Sequence, residues 1–199
     1  MPKRAFDIFF SAGALLVLAP LLLVVSLWIK LDSSGPVFFR QRRVGLRGRE
    51  FEIYKFRTMR VDAVSSGQQI TVGADPRITR SGACLRKYKI DEFPQFFNVV
   101  LGDMSVVGPR PEVPRYVALY PAAQRDLVLS VRPGITDLAS VEYRDENELL
   151  GHSADPERTY VTEVIPAKLA FCERYVRERS FAGDLAIIRR SFVASFARR

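Results

Sequence analysis

The sequence predicts an α+β protein: an N-terminal re-entrant membrane helix-break-helix, a small β-hairpin, and a mostly helical cytosolic domain with interfacial amphipathic helices. Three observations predict it. Residues Ile8 to Ile29 are 22 consecutive uncharged positions with Pro20 near their middle. Residues 37–60 alternate around Gly45 and Gly48 at strand spacing. The last part of the chain repeats its apolar residues at helical spacing.

The apolar stretch, as a straight helix, would run roughly 33 Å, long enough to span a bilayer. A secretory signal fits less well, because the stretch is too long and is followed by Lys30, Leu31 and Asp32 rather than a small-residue cleavage pattern. Pro20 has no backbone N–H and crowds the carbonyl of Leu16, so a kink or turn is expected there. A kinked spanning helix is one reading. The charges favour another: Lys3 and Arg4 precede the stretch, while Lys30, Arg40, Arg42, Arg43, Arg47 and Arg49 follow it. The positive-inside tendency therefore wants both ends on the cytoplasmic side. Two half-helices of about 15 to 18 Å, meeting at Pro20, would enter the hydrocarbon and return. Trp28 and Lys30 would mark the level of exit.

Beyond it, "VFFRQRRVGLRGREFEIYKFRTMR" reads as a β-hairpin with a basic turn. Between Arg40 and Arg60 there are eight Lys or Arg and two Glu, so this segment supplies +6 of the net +8. It is either a solvated basic loop or a surface that attracts lipid headgroups and an anionic substrate. Residues 62–76, with "SSGQQ", are expected to be a mobile loop. A helix is expected around 81–88 and a second starting near Asp91, with Pro94 in its first turn, where the N–H groups lack partners anyway. Further on, a helix from about Pro166 to Arg179 carries Leu169, Cys172, Tyr175 and Val176 on one stripe. In the last helix Asp184 is expected as N-cap, followed by Leu185, Ile188, Phe192 and Phe196, with Arg189, Arg190, Arg198 and Arg199 alongside. Either helix could pack on the core or lie in the membrane interface.

The 199 residues favour one compact domain of ordinary size behind the apolar segment. The balance of 30 Lys+Arg against 22 Asp+Glu points to an anionic partner. Cys84 and Cys172 form no CxxC pair, so neither a zinc site nor a disulfide framework is suggested. His152 is the sole histidine, which makes a His-dependent triad or a multi-His metal site hard to build. There is no P-loop, no GxGxxG and no RNA-binding aromatic motif, and the long apolar segment argues against nucleic acid as partner. Acid, base or metal chemistry must then rest on carboxylates. The segment "KIDEFPQFFNVVLGDMSVVGPRPE" places Asp91 and Glu92 side by side at a helix start. Adjacent helical carboxylates point about 100° apart, so they suit divided labour: one attacks or takes a proton while the other holds a hard divalent cation. The same pair would also serve as an ordinary cap and dipole feature. Arg86, Arg110 and Arg132 are candidate phosphate clamps, Arg110 held by flanking prolines.

At these residues the sequence resembles the small monotopic phosphoglycosyl transferases, the bacterial sugar transferase family that starts glycoconjugate assembly on a polyprenyl phosphate. The segments "KRAFDIFFS", "LAPLLL", "KLDSSGPVFFRQRRVG", "YKFRTMR", "DPRITRSGACLRK", "DEFPQFFNVVLGDMSVVGPRPE" and "VRPGITDLAS" stand in the family's order over nearly the full length. The resemblance implies residues 1–34 as a monotopic re-entrant anchor and residues 35–199 as a cytosolic catalytic domain on the cytoplasmic face of a bacterial inner membrane. It implies a ping-pong transfer of sugar 1-phosphate from a UDP-sugar to undecaprenyl phosphate, with release of UMP. Asp91 matches the nucleophile that carries the phospho-sugar. Glu92 matches the second carboxylate, expected to work with Mg²⁺, with Asp91 beside it as a possible metal ligand. Lys55, Arg86 and Arg110 fall on basic positions of the family's motifs and are assigned to phosphate binding, and Arg132 is added as a fourth candidate. The family breaks its re-entrant helix at a Ser-Pro pair, where this chain has Ala19-Pro20.

Many relatives continue past the "GIT" motif with "GLAQVNGR", whereas this chain reads "DLASVEYRDENELL" from Asp137. That suggests a subgroup and a different sugar. Asp155, in "GHSADPERTY", could reach the site or sit in a surface turn. The rival reading is a non-catalytic membrane-attached module whose basic hairpin recruits an anionic partner. Which sugar is moved and the oligomeric state stay open.

Overall fold

The apolar segment forms one helix, α1 (Pro2–Asp32), in a computed structural model that describes residues 2–61, 75–142 and 146–196. The expected helix-break-helix is corrected here, because helical backbone continues through Pro20. Proline removes one ladder hydrogen bond, and in a helix of 31 residues the turns on either side keep theirs. Both ends of α1 are fastened to the same body. Near its start, Lys3 Nζ donates to the Val107 carbonyl at 3.1 Å and to Asp184 at 2.6 Å. Arg4 donates to the carbonyls of Val99 and Met104. The buried Asp7 carboxylate accepts from Ser105 Oγ at 2.8 Å and Val106 N at 3.1 Å. At its end, buried Arg57 donates to the carbonyls of Ile29, Ser33 and Ser34, where a cation meets the negative pole of the helix. Asp32 in turn accepts from Ser81 N and Oγ. Val25 and Ile29 pack with Phe56 and Leu85 in a small core. Between these anchors Ser11 is buried, but the middle of the helix shows apolar side chains: Leu16 and Val17 are 79% and 77% exposed.

The hairpin forms as expected. β1 (Phe38–Val44) pairs antiparallel with β2 (Glu50–Phe56) through a 3₁₀ turn at Leu46–Gly48. Phe39 lies opposite Lys55 and Arg43 opposite Phe51, so Phe39, Gln41, Arg43 and Lys55 share one face. Arg40 on the other face stacks over Tyr54. Of the loop expected over 62–76, all but Asp75 and Pro76 lies outside the described residues.

α2 (Arg80–Lys87) is capped by Thr79, whose hydroxyl accepts from Gly82 N at 3.0 Å. Gly82 is needed for close approach, since a Cβ there would lie 2.1 Å from the Thr58 carbonyl oxygen. A 3₁₀ turn (Ile90–Glu92) leads through Pro94 into α3 (Gln95–Leu101). β3 (Ser105–Val107) pairs in parallel with β4 (Gly134–Thr136), and between them lie α4 (Pro114–Val117) and α5 (Ala122–Val128). Then come α6 (Leu138–Glu142), α7 (Glu146–His152) and α8 (Pro156–Thr159). Asp155 is exposed and caps α8, accepting from Arg158 N at 3.1 Å, which is the surface-turn reading.

α9 (Ile165–Glu178) follows a π-helical turn and buries Leu169, Tyr175 and Val176, as its stripe predicts. α10 (Phe181–Phe196) starts one turn earlier than expected. Ser180 accepts from Gly183 N, so Asp184 is not the N-cap. It is instead buried, paired with Lys3 and accepting from Tyr175 Oη at 2.9 Å. Ile187 is buried, whereas Leu185 and Phe192 of the expected stripe are exposed, as are Phe181 and Val193. The main core joins Ile53, Val99, Met104, Val106, Val107, Tyr175 and Ile187, so hairpin, α3, β3 and the last two helices form one body.

Candidate active site

The dyad is placed by a local reversal of the chain. Lys89 takes a left-handed conformation, φ 56°, which ends the helical run of α2 and starts the 3₁₀ turn carrying Asp91 and Glu92. Ile90, between Lys89 and Asp91, packs against the α1 core, fixing the turn. The two carboxylates then meet different surroundings.

Glu92 is clamped by two cations from separate elements. Lys55 Nζ, from β2, donates to Glu92 Oε1 at 2.8 Å. Arg110, between Pro109 and Pro111, donates through Nη2 to the same oxygen and through Nη1 to Oε2 at 3.4 Å. Burial alone would raise the Glu92 carboxyl, but Arg110 and Lys55 together hold it well below the usual carboxylate range. Glu92 in turn raises the Arg110 guanidinium, whereas burial lowers the Lys55 ammonium.

Asp91 is buried and accepts no hydrogen bond from any described residue. Burial first, and the neighbouring Glu92 charge second, push its carboxyl up from the ordinary 3.8 to about 6, against the pull of Lys55, Arg86 and Arg110. Arg86, in the last turn of α2, is oriented by donating Nε to Thr58 Oγ1 at 2.9 Å, and its charge faces Asp91. The structure thus gathers five of the expected residues: Asp91, Glu92, Lys55, Arg86 and Arg110. It sets Arg132 elsewhere, donating Nε to the Gly102 carbonyl at 2.8 Å beside Arg4, and Arg132 is not among the main charges acting on either carboxylate.

Residues that sequence reading missed stand behind the site. Thr58 aims Arg86, and buried Asp137 lends its charge to Arg110 while capping α6 through Ser140 N at 2.7 Å. Arg43 and Glu112 form an ion pair at 3.1 Å. Only the last had a signal, since Arg43 alternates with Lys55 on one hairpin face and Glu112 closes "PRPE".

Among the described residues no three His, Cys, Asp or Glu converge into a ready metal cage. The donor set fits a hard cation such as Mg²⁺ in another way. That ion is commonly held by one or two carboxylates plus substrate phosphates. Asp91 offers an unbonded carboxylate, and Glu92 could join by releasing one of its two cations.

A deep, unbonded carboxylate ringed by three cations suits chemistry on an anionic centre. The bacterial sugar transferase family model matches residues 1–198. The chain belongs to that family. Its relatives include an exopolysaccharide production protein of Rhizobium leguminosarum bv. phaseoli, 44% identical over 98% of this chain and 96% of the relative. Another is a UDP-N-acetylgalactosamine-undecaprenyl-phosphate N-acetylgalactosaminephosphotransferase of Aeromonas hydrophila, 42% identical over 80% of this chain and 36% of the relative. A third is a UDP-glucose:undecaprenyl-phosphate glucose-1-phosphate transferase of Escherichia coli, 36% identical over 94% of this chain and 38% of the relative. The chain therefore spans nearly all of the first and little more than a third of the other two. In this family member the dyad, the PRP turn and the hairpin lysine make one charged unit.

Proposed function

We propose that this transferase moves a sugar 1-phosphate from a UDP-sugar to undecaprenyl phosphate, the first membrane step of a glycoconjugate pathway, in two half-reactions. The open Asp91 carboxylate amid Lys55, Arg86 and Arg110 carries the reading. The three cations bind the diphosphate of the donor, sharing or exchanging their contacts with Glu92. Asp91 attacks the β-phosphorus: an Asp91 oxygen to phosphorus bond forms, the bridging bond to the α-phosphate breaks, and UMP leaves with the electron pair. A terminal oxygen of undecaprenyl phosphate then attacks the same phosphorus and displaces Asp91, which regains its carboxylate. Glu92, kept ionised by its clamp, holds Lys55 and Arg110 aimed at the phosphates. Mg²⁺ bound at Asp91, with Glu92 in reach, would supply charge compensation on the diphosphate. A non-catalytic binding module would leave the open Asp91 carboxylate without a role.

The same proposal places α1 as a monotopic anchor, entering and leaving one leaflet, with the body on the cytoplasmic face. It is supported by the polar contacts at both ends of α1 and by the bare apolar middle, with Pro20 as the weakest point of the ladder. The exposed Phe181, Leu185, Phe192 and Val193 of α10 fit contact with the bilayer surface.

The test is incubation of the solubilised protein with Mg²⁺, a panel of UDP-sugars and undecaprenyl phosphate, read as UMP release. Asp91→Asn should abolish release. Exposure to donor alone should add one phospho-sugar to the intact mass, localised to Asp91; an active enzyme showing no such adduct would refute the two-step route.

A further inference from the structure

The two cations on Glu92 come from elements far apart in sequence, Lys55 from the hairpin and Arg110 from the turn after β3. One ion pair bolts those elements together. Arg43 Nη1 donates to Glu112 Oε1 at 3.1 Å and to the Pro111 carbonyl at 2.9 Å, and its Nη2 donates to Gln41 Oε1 at 2.7 Å. Glu112 is held from three further sides: its Oε1 accepts from Val113 N at 2.8 Å, its Oε2 accepts from Tyr160 Oη at 2.6 Å, and its carbonyl accepts from Val44 N at 2.9 Å. The side chains are only 19% and 16% exposed, so bulk water does little to replace these contacts.

Arg43 shares its hairpin face with Lys55, and Glu112 is separated from Arg110 by Pro111 alone, whose φ is fixed. A shift of either partner therefore passes to a cation on Glu92 through stiff backbone. We infer that Arg43 and Glu112 are positioning residues that set the separation of Lys55 and Arg110 across Glu92. They touch neither substrate nor the reacting atoms. The inference rests on the proposed transferase chemistry for its importance, but its geometric content stands apart.

The deciding variant is Arg43→Gln combined with Glu112→Gln, made in the full chain. It removes both charges together, so no unpaired charge is left buried and the local net charge is unchanged. Lys55 is probed by acylation with an N-hydroxysuccinimide ester and peptide mapping, and UMP release is measured beside it. Wild-type Lys55 is expected to be protected by Glu92. In the double variant its acylation should speed up several-fold with the melting temperature held within a few degrees, and kcat should fall about tenfold or more with the donor KM changed far less. Tyr160→Phe, which removes one hydrogen bond from Glu112 but leaves the ion pair, should keep both Lys55 protection and kcat. If the double variant does not fold, Arg43→Lys serves: a single ammonium cannot reproduce the forked contact to Pro111, Glu112 and Gln41, so the same changes should appear at smaller amplitude. Unchanged Lys55 protection in the folded variant overturns the inference. Absence of UMP release from wild type would instead defeat the transferase chemistry, with Lys55 protection still deciding the positioning role.

Discussion

Lys55 Nζ lies 2.8 Å from Glu92 Oε1, and Arg110 closes on the same carboxylate from the opposite element. Two cations on one anion leave an excess of positive charge beside Asp91, to which Arg86 adds. The dyad is therefore asymmetric: one carboxylate is spent on structure and electrostatics, while the other is open.

The first prediction follows from Asp91. Burial and the Glu92 charge raise its carboxyl, so the attacking form is lost as pH falls, and kcat/KM should drop on the acid side. The stability sign is opposite. A carboxyl whose folded pKa lies above its ordinary 3.8 holds its proton more tightly when folded, so its favourable contribution is full below 3.8 and disappears as pH rises to about 6. Above that, ionised Asp91 costs on the order of 2 to 3 kcal/mol. Asp91→Asn should thus melt higher than wild type at pH 7.5, with the gain fading toward pH 4, while activity is abolished. A variant that melts lower at pH 7.5 would contradict the burial argument.

Glu92→Gln should behave differently. Its loss leaves Lys55 and Arg110 facing each other without their anion, and breaking a buried pair of this kind costs about 3 kcal/mol. Denaturant unfolding in detergent should show the loss, and restoring a carboxylate as Glu92→Asp should recover only part of it, because the shorter side chain cannot meet both cations at once.

The sequence makes some of this legible and hides the rest for physical reasons. The hairpin was readable because Gly45 and Gly48 punctuate an alternating run, and the α9 stripe because Leu169, Tyr175 and Val176 keep one face. Asp184 misled, since an acid before an apolar run looks like a cap, whereas Ser180 caps the helix and Asp184 meets Lys3 from the far end of the chain. The break at Pro20 misled too, because one missing N–H interrupts a long helix less than its sequence signal suggests. Among the site residues, the motif resemblance singled out Asp91, Glu92, Lys55, Arg86 and Arg110. What brings them together is long-range pairing, such as Asp32 with Ser81 and Arg57 with the carbonyls that end α1, which leaves no local pattern.

Gly82 supplies a packing prediction. A Cβ at this position would lie 2.1 Å from the Thr58 carbonyl oxygen and clash with backbone that cannot swing aside. Gly82→Ala should therefore push α2 away from residue 58 and cost about 1 to 3 kcal/mol. The same movement separates Arg86 from Thr58 Oγ1, so UMP release should fall more than it does for Ala83→Gly, a change on the exposed side of the same helix. Equal losses in both variants would show that Thr58 does not aim Arg86.

The last prediction concerns topology. Lys3, Arg4 and Asp7 are bound to β3, α3 and Asp184, and Asp32 and Arg57 tie the other end of α1 to the first turn of α2 and the end of β2. Pulling the first turn through a bilayer would strip several charged hydrogen bonds, taking Lys3 from Asp184 and Arg4 from the Val99 carbonyl and leaving Val106 N without its Asp7 partner, each loss costing about 1 to 3 kcal/mol. These contacts favour the proposed arrangement, in which both ends of α1 stay on the side of the body. In a background of Cys84→Ser and Cys172→Ser, single cysteines at Pro2 and Ser34 should therefore both react with a membrane-impermeant maleimide in inverted vesicles and resist it in intact spheroplasts. Lys3→Ala should loosen the N-terminal dock without reversing this pattern, since Arg4 and Asp7 remain. Labelling of position 2 from the outside would establish a spanning helix, and with it a body that releases its N-terminal contacts in the membrane.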